Sequence, residues 1–162
     1  MASAASALSP QTPPVRYAGF WIRFVAAFID GIIVGIVNGV IGAFIGGGSA
    51  AVLSNTNDPA TAVSTAIAAA GTSILIGFAL SFVYHAYLES SEKQATIGKM
   101  AMGLKVTDIN GQRLTFGKAA VRFVSKIASA LILYIGFIMA GFTEKKQALH
   151  DMIAGTLVVY AK

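Results

Sequence analysis

Cysteine is absent from this chain of 162 residues, and charged residues are scarce. Without cysteine there is no disulfide, thiol nucleophile or thiolate metal ligand. The two histidines, His85 and His150, have no HExxH or comparable ligand spacing, so no metal site is predicted. No pairing of an acid with a base or a nucleophile is visible either, so the sequence predicts neither an enzyme nor a cofactor.

The chain is rich in apolar residues and poor in charged ones. Hydrophobic residues make up 56% of the chain and charged residues 12%, against about 25% charged in soluble domains. The mean hydropathy of +0.71 indicates an integral membrane protein. The net charge of +5 comes from bases that flank apolar runs. Such bases fit membrane topology and anionic lipid headgroups, so we expect the lipid bilayer as partner and no nucleic acid.

The amino-terminal segment differs from the rest in composition. Residues 1–16 are small, polar and rich in proline, which predicts a disordered tail. A secretory signal would have a basic start and a short apolar stretch, so we expect the tail to be retained. Residues 17–162 are then one membrane domain.

Two apolar runs, 20–46 and 62–88, are long enough to cross a hydrocarbon core about 30 Å thick. The segment 47–61 between them is predicted to be a loop and carries no lysine or arginine. The polar loop 89–120 carries five bases against three acids. By the positive-inside rule, the 89–120 loop and the amino terminus are cytoplasmic and the 47–61 loop is external.

Short strand patterns lie in the polar loop and near the carboxyl terminus. Leu104–Thr107 and Arg113–Phe116 flank the Asn110-Gly111 turn signal, which predicts a small β-hairpin at the cytoplasmic surface. Residues 147–155 are predicted to form a short helical turn ending at Gly155, and Thr156–Tyr160 a strand. That strand could pair with the hairpin if the carboxyl terminus is also cytoplasmic.

The third apolar segment, 123–142, has a core of about sixteen residues, short for a full span. Arg122 and Lys126 precede this core, and Lys145 and Lys146 follow it. Bases at both ends favour a re-entrant or tightly bent helical hairpin over a short straight span, and Gly136 could host the turn. We therefore predict an all-α integral membrane protein with two full transmembrane helices, this third segment and a small cytoplasmic β-hairpin.

Glycines recur along one face of the first span at spacings of three and four residues. Such small-residue stripes let transmembrane helices approach closely, so the stripe is predicted to be a helix-packing face and could serve a homo-oligomer. Its members are Gly31, Gly35, Gly39, Gly42 and Gly46.

Asp30 is the only acid in the first span. A carboxylate inside a membrane helix costs roughly 2.5–3.5 kcal/mol on insertion scales, so a purpose is expected. Asp30 could bind a proton or a cation, or it could pair with another segment and fix helix docking. Arg23 lies seven residues earlier, about 10 Å along the helix, too far for a direct salt bridge with Asp30.

Three motifs resemble the RDD family of small bacterial membrane proteins. The segment from Tyr17 to Asp30 is similar to the family's opening, Gln94–Val106 to its central loop, and Gln147–Val159 to its closing motif. The family is named for one arginine and two aspartates, which match Arg23, Asp30 and Asp151. The resemblance implies a multi-pass protein of the bacterial inner membrane. Transport, including cation/proton exchange, has been suggested for the family, and some members are accessories of larger membrane assemblies.

Two functional hypotheses follow. In the first, the chain transports a small solute or cation as a homo-oligomer, with Asp30, Arg23 and Asp151 as tentative binding residues. In the second, it is a membrane accessory, scaffold or assembly factor that works with other membrane proteins, and the three charges are architectural. If the three charges act together, the carboxyl-terminal segment must lie on the cytoplasmic side near Arg23, so we expect an Arg23–Asp151 pair, with Asp30 deeper.

Overall fold

The computed structural model describes residues 15–131 and 135–161. The predicted tail falls almost wholly outside the described residues, and it stays a prediction. Two long apolar helices dominate the described part, α1 (Phe20–Ser54) and α2 (Pro59–Ser90). Their 35 and 32 residues correspond to roughly 50 Å of helix each, more than the hydrocarbon core requires. The two predicted full transmembrane helices are therefore present.

The connection between α1 and α2 is much shorter than predicted. Only residues 55–58 are non-helical, where a loop over 47–61 was expected. Asp58 caps α2 by accepting hydrogen bonds from the backbone N–H groups of Ala60 and Thr61, and Pro59 occupies the first helical position. Residues 47–54 stay helical despite their glycines, because an apolar surrounding requires every backbone polar group to be satisfied within the helix.

α1 and α2 pack as an antiparallel hairpin, but not through the predicted glycine face. Tyr84 contacts Asp30, and Gly77 lies opposite Asn38, where an added Cβ would approach Nδ2 to 3.3 Å. A Cβ added at any glycine of the predicted stripe would meet nothing within 4 Å. The stripe therefore faces away from the rest of the described chain. That it packs against a helix of a second molecule remains a prediction.

A two-stranded antiparallel sheet lies beside the helical hairpin. After the short helix α3 (Ile97–Ala101), β1 (Leu104–Asp108) pairs with β2 (Thr156–Tyr160), with Leu104 opposite Tyr160. Tyr17 forms an isolated bridge to Val159, which ties the chain just before α1 to the same sheet. The small antiparallel sheet was predicted, and so was the strand at Thr156–Tyr160.

The predicted hairpin partner of β1 is wrong. Residues 112–115 are not a strand, and helix α4 (Phe116–Leu131) begins at Phe116. A turn does form, with Asp108 accepting the N–H groups of Asn110 and Gln112, but of the predicted central pair Asn110-Gly111 only Gly111 has positive φ, 78°. A type I′ turn needs positive φ at both positions. The chain therefore leaves the sheet after the turn, and β2 provides the partner strand.

The third apolar segment is bent. α4 is followed by α5 (Ile135–Ile138) and a 3-10 turn (Met139–Gly141). The direction of the helix bends by 119° between α4 and these two pieces. Residues 132–134 lie outside the described part. The bend is incompatible with a straight span. Gly136 serves close packing, since a Cβ there would lie 2.9 Å from Cα of Ser129.

Both ends of this bent segment return to the same place. Arg122, near the start of α4, is hydrogen-bonded to Asp151 in the short helix α6 (Leu149–Ala154). From Arg122 to Ala130 helix α4 rises about 12 Å, less than half of the hydrocarbon thickness. The bend is that of a re-entrant loop or of a broken span.

The short elements form one unit, here called the polar cap, at the end of the hairpin where α1 begins and α2 ends. The polar cap comprises residues 15–19, α3, β1, α6 and β2. A small core joins the polar cap to α1, α2, α4 and the connection before α4; its buried members are Ala18, Ala26, Ala86, Leu104, Val106, Leu114, Ala119 and Val158.

Candidate functional site

Asp30 lies where α1, α2 and α3 meet and is 3% exposed. Its Oδ1 accepts hydrogen bonds from the Tyr84 hydroxyl at 2.6 Å and from the backbone N–H of Gly98 at 2.7 Å. Its Oδ2 accepts one from the Thr96 hydroxyl at 2.6 Å. Three donors therefore satisfy the carboxylate without a lysine or arginine. This arrangement, here called the Asp30 site, fixes the start of α3 against both long helices.

Gly98 is required for that approach. A Cβ on Gly98 would overlap the backbone oxygen of Ala26 and would lie 2.9 Å from Cγ of Asp30. The backbone of α3 therefore rests directly on the backbone of α1. Only glycine allows the N–H of residue 98 to reach the carboxylate from this position.

Asp151 is the centre of a second polar cluster and is fully buried. Its Oδ2 accepts hydrogen bonds from Nη1 of Arg23 and, at 3.1 Å, from the backbone N–H of Ala148. Its Oδ1 accepts two from Arg122, from Nε at 2.9 Å and from Nη2 at 2.6 Å. The predicted contact between Arg23 and Asp151 is present.

Arg122 extends this cluster to α2. Its Nη1 donates to Oε2 of Glu89 at 2.5 Å, and Oε1 of Glu89 accepts from Nζ of Lys99. Arg122 and Glu89 are 2% and 1% exposed. The five residues of this charge network are Arg23, Glu89, Lys99, Arg122 and Asp151. Together with Asp30, they set three cations against three carboxylates.

Burial and neighbouring charges control ionisation in the polar cap. Burial alone would raise the pKa of Asp151, but Arg122 and Arg23 outweigh it and hold that pKa well below its usual range. Burial lowers the pKa of His150 to about 3, although Asp151 opposes the shift. His150 is therefore neutral at ordinary pH, and its Nδ1 lies 3.2 Å from the Ser129 hydroxyl.

The three predicted site residues fall into two neighbouring places. Arg23 and Asp151 share the charge network, whereas Asp30 occupies its own site about two helical turns deeper along α1. Helix α3 links the two sites, because Gly98 donates to Asp30 and the next residue, Lys99, donates to Glu89. Arg23 also donates to the backbone oxygens of Ala18 and Lys146.

Sequence reasoning missed three of the six charged residues at the two sites. Arg122 was interpreted only as a base that flanks the third apolar segment. Glu89 and Lys99 were interpreted only as charges of the polar loop. The donors to Asp30 also passed unnoticed. One signal was available, since Thr96, Gly98 and Lys99 all lie in the motif that resembles the central loop of the RDD family.

The arrangement provides ion pairs and hydrogen bonds rather than open coordination positions. Within residues 15–131 and 135–161, no group of three or more His, Asp or Glu side chains could hold a metal ion. The carboxylates of Asp30 and Asp151 already accept three and four hydrogen bonds. The cluster connects α1, α2, α4 and the polar cap into one body.

Two long apolar helices, a bent third segment and a polar cap define a small integral membrane protein. The sequence matches the RDD family over residues 17–155, and the chain belongs to that family.

Two relatives from Bacillus subtilis strain 168 cover most of the chain. It is 41% identical to the uncharacterized protein YxaI over 147 residues, which are 88% of this chain and 97% of that protein. It is 30% identical to the uncharacterized membrane protein YteJ over 154 residues, 90% of this chain and 82% of that protein. A proline-rich antigen homolog of Mycobacterium tuberculosis is 33% identical over 66 residues, 40% of this chain and 28% of that protein. No solved structure matches the chain.

Proposed function

We propose that this chain is a membrane-embedded accessory or assembly protein in which Arg23, Asp30 and Asp151 are architectural. The observation that carries the proposal is the complete occupation of both marked carboxylates by donors of the chain itself. A cation binding to Asp30 would have to displace Tyr84 and Thr96, and it would break the bond that docks α3. Such a carboxylate stabilises a fold better than it exchanges ions.

The rest of the hairpin supports an assembly role. Beyond the Asp30 site, α1 and α2 contact each other along one narrow line and leave their remaining faces uncovered. In the membrane these faces contact lipid, a second copy of the chain or another membrane protein. The glycine stripe of α1 lies on such a face, which favours a helical partner. We place the polar cap, with both chain termini, on the cytoplasmic side because its helix α3 and strand β1 belong to the basic 89–120 segment.

The test compares Asp30→Asn with wild type in two measurements. Thermal unfolding in detergent should show a loss of about 1–3 kcal/mol, because an amide can replace only part of the three accepted hydrogen bonds. Liposomes containing wild type should show no proton flux driven by Na⁺, K⁺ or Li⁺. Asp58→Asn is the matched control, since Asp58 is an exposed helix cap at the opposite end of the hairpin and should change stability by about 1 kcal/mol or less. Flux from wild type that disappears in a stably folded Asp30→Asn variant would overturn the architectural assignment.

Transport of a small solute or cation by a homo-oligomer is the second candidate. Asn38 favours it, because its buried Oδ1 has no hydrogen-bond partner among the described residues and lies near the middle of α1. A pathway between two or more hairpins could use that oxygen. In that case Asn38→Ala should abolish the flux. A folded preparation of Asp30→Asn should retain it. If wild type shows no flux, this candidate is rejected for the cations tested.

A further inference from the structure

A groove of about 630 Å³ lies between the start of α1 and the returning end of the bent third segment. That volume is typical of sites for organic ligands. One side is formed by the first turn of α1, and the other by the 3-10 turn and the chain after it. The lining residues that matter here are Phe20, Trp21, Ile138, Phe142, Lys146 and Tyr160.

The groove changes from apolar to polar along its length. Trp21 and Phe142 are 76% and 86% exposed, so each presents nearly a whole aromatic face to the surrounding medium. Tyr160 lies in the sheet of the polar cap at the other end. Because α1 begins at Phe20 and enters the membrane from there, this change occurs at the level where lipid headgroups meet acyl chains.

Lys146 lines the polar end of the groove, and Arg16 lies next to that end, against the ring of the lining residue Tyr160. Nζ of Lys146 donates to the backbone oxygen of Gly141 at 3.1 Å, which leaves two of its N–H groups for another acceptor. The guanidinium of Arg16 lies 5.0 Å from the centre of the Tyr160 ring. Among the described residues, no carboxylate forms an ion pair with either cation. The charge network satisfies its own cations, whereas these two are available to a ligand.

We propose that this groove binds one phospholipid with an anionic headgroup. Lys146 and Arg16 bind the headgroup phosphate, and one acyl chain lies against Trp21, Ile138 and Phe142. Charge complementarity selects the anionic class, and the apolar walls that continue into the bilayer select a lipid over a soluble phosphate. This inference is independent of the proposed function.

Trp21 makes the test direct, because it is the single tryptophan of the chain and lines the groove. The full chain is reconstituted in bilayers containing phosphatidylglycerol or phosphatidylcholine with brominated acyl chains, which quench tryptophan fluorescence on contact. At equal low mole fractions, brominated phosphatidylglycerol should quench with at least about five-fold higher apparent affinity, the effect of one base near a membrane surface.

Matched variants separate this site from general attraction to a charged surface. Lys146→Gln combined with Arg16→Gln should bring the ratio of the two affinities close to one. Lys93→Gln combined with Lys145→Gln removes two exposed bases outside the groove and should keep the ratio. Thermal unfolding checks that both double variants are folded.

Four results would overturn the proposal. The first is equal quenching by both lipids in wild type, and the second is an unchanged ratio in a folded Lys146→Gln/Arg16→Gln variant. The third is displacement of brominated phosphatidylglycerol by millimolar inorganic phosphate, which would assign the cations to a soluble anion. Weak quenching by both lipids that rises as the protein is diluted in the bilayer is also contrary, because it would show that a second copy fills the groove.

Discussion

The two ends of the α1–α2 hairpin differ in how their side chains are satisfied. At the capped end, the carboxylates of Asp30, Glu89 and Asp151 are at most 3% exposed, and each accepts hydrogen bonds from other segments. Toward the 55–58 loop, the same two helices leave large apolar side chains open, with Phe44 80% and Ile67 67% exposed. One end is folded by contacts within the chain, and the other depends on its surroundings.

This difference shows which part of the chain determines how its helices pack against one another. Apolar faces in a bilayer gain little from contacting each other rather than lipid, so helix association there depends on close packing and hydrogen bonds. The capped end provides both, through the Ala26–Gly98 approach and the charge network. Substitutions at this end should therefore affect folding, and substitutions at the other end should affect association.

The largest effect is expected for Arg122→Met. The substitution leaves Glu89 and Asp151 buried with one cationic partner each, and breaking a buried pair in this way costs about 3–5 kcal/mol. Thermal or denaturant unfolding in detergent measures the loss. Arg113→Met is the matched control, because Arg113 is exposed and donates only to the backbone oxygen of Ser90. Equal losses in both variants would contradict the proposed role of the charge network.

A slightly smaller loss is expected for Gly98→Ala. The new methyl group would overlap the backbone of α1, which cannot move aside as a side chain can, so we expect a cost of about 3 kcal/mol. The control is Gly117→Ala in α4, where nothing lies within 4 Å of the added Cβ. That control should be neutral or stabilising by up to about 1 kcal/mol. The comparison of the two unfolding curves decides whether α3 rests on α1.

An effect of intermediate size is expected from pH. Burial lowers the pKa of His150 to about 3, so between about pH 6.5 and pH 3 the unfolded chain binds a proton there that the folded chain does not. Stability therefore falls as pH falls below about 6.5, by about 1.4 kcal/mol per pH unit. The depressed pKa of Asp151 adds nothing above about pH 4, since its stabilisation is lost only as pH falls below that value.

His150→Gln isolates that contribution. We expect the variant to lose less stability than wild type between pH 6.5 and pH 5.5, by about 1 kcal/mol, in thermal unfolding at the two pH values, because the unfolded histidine is only half protonated at pH 6.5. The comparison uses slopes, so a constant change in stability does not affect it. Parallel curves for variant and wild type would show that His150 is protonated in the folded protein.

The smallest effect on folding is expected at the uncapped end. Gly35→Ala and Gly39→Ala add a methyl group to α1 where the described chain offers no neighbour within 4 Å. Unfolding in dilute detergent should change by less than about 1 kcal/mol, with a stabilising sign from helix propensity. Light scattering should show a reduced oligomeric fraction if the stripe packs a second copy. A destabilisation as large as that of Gly98→Ala would show that this face packs within the chain.

The sequence predicted what depends on local composition. The positions of the two long helices followed from the apolar runs, and the strand after Gly155 followed from its β-branched residues. The end of α1 was misplaced because Gly47 and Gly48 signal a loop in water, whereas apolar surroundings favour continued helix. The partner of β1 was wrong because a local turn signal was given more weight than a pairing about 50 residues away along the chain.

The polar sites were harder to predict because their partners are distant. The three donors to Asp30 lie 54, 66 and 68 residues beyond it, and one is a backbone N–H that no side-chain pattern reveals. The contact between Arg23 and Asp151 was expected only through resemblance to the RDD family. Arg122 escaped notice because a base beside an apolar run is usually explained by topology.

The separation of Arg23 from Asp151 has a consequence for biosynthesis. Asp151 is made 128 residues after Arg23, which at about 5–20 residues per second corresponds to roughly 6–26 seconds of translation. Throughout that interval the growing chain carries Arg23 at the membrane surface without its acid, and Arg122, once made, has only Glu89 of its two carboxylate partners. A chain that ended before Asp151 would lack the carboxylate shared by Arg23 and Arg122 and would also lack strand β2. The last short helix to be translated is thus the step that completes the protein.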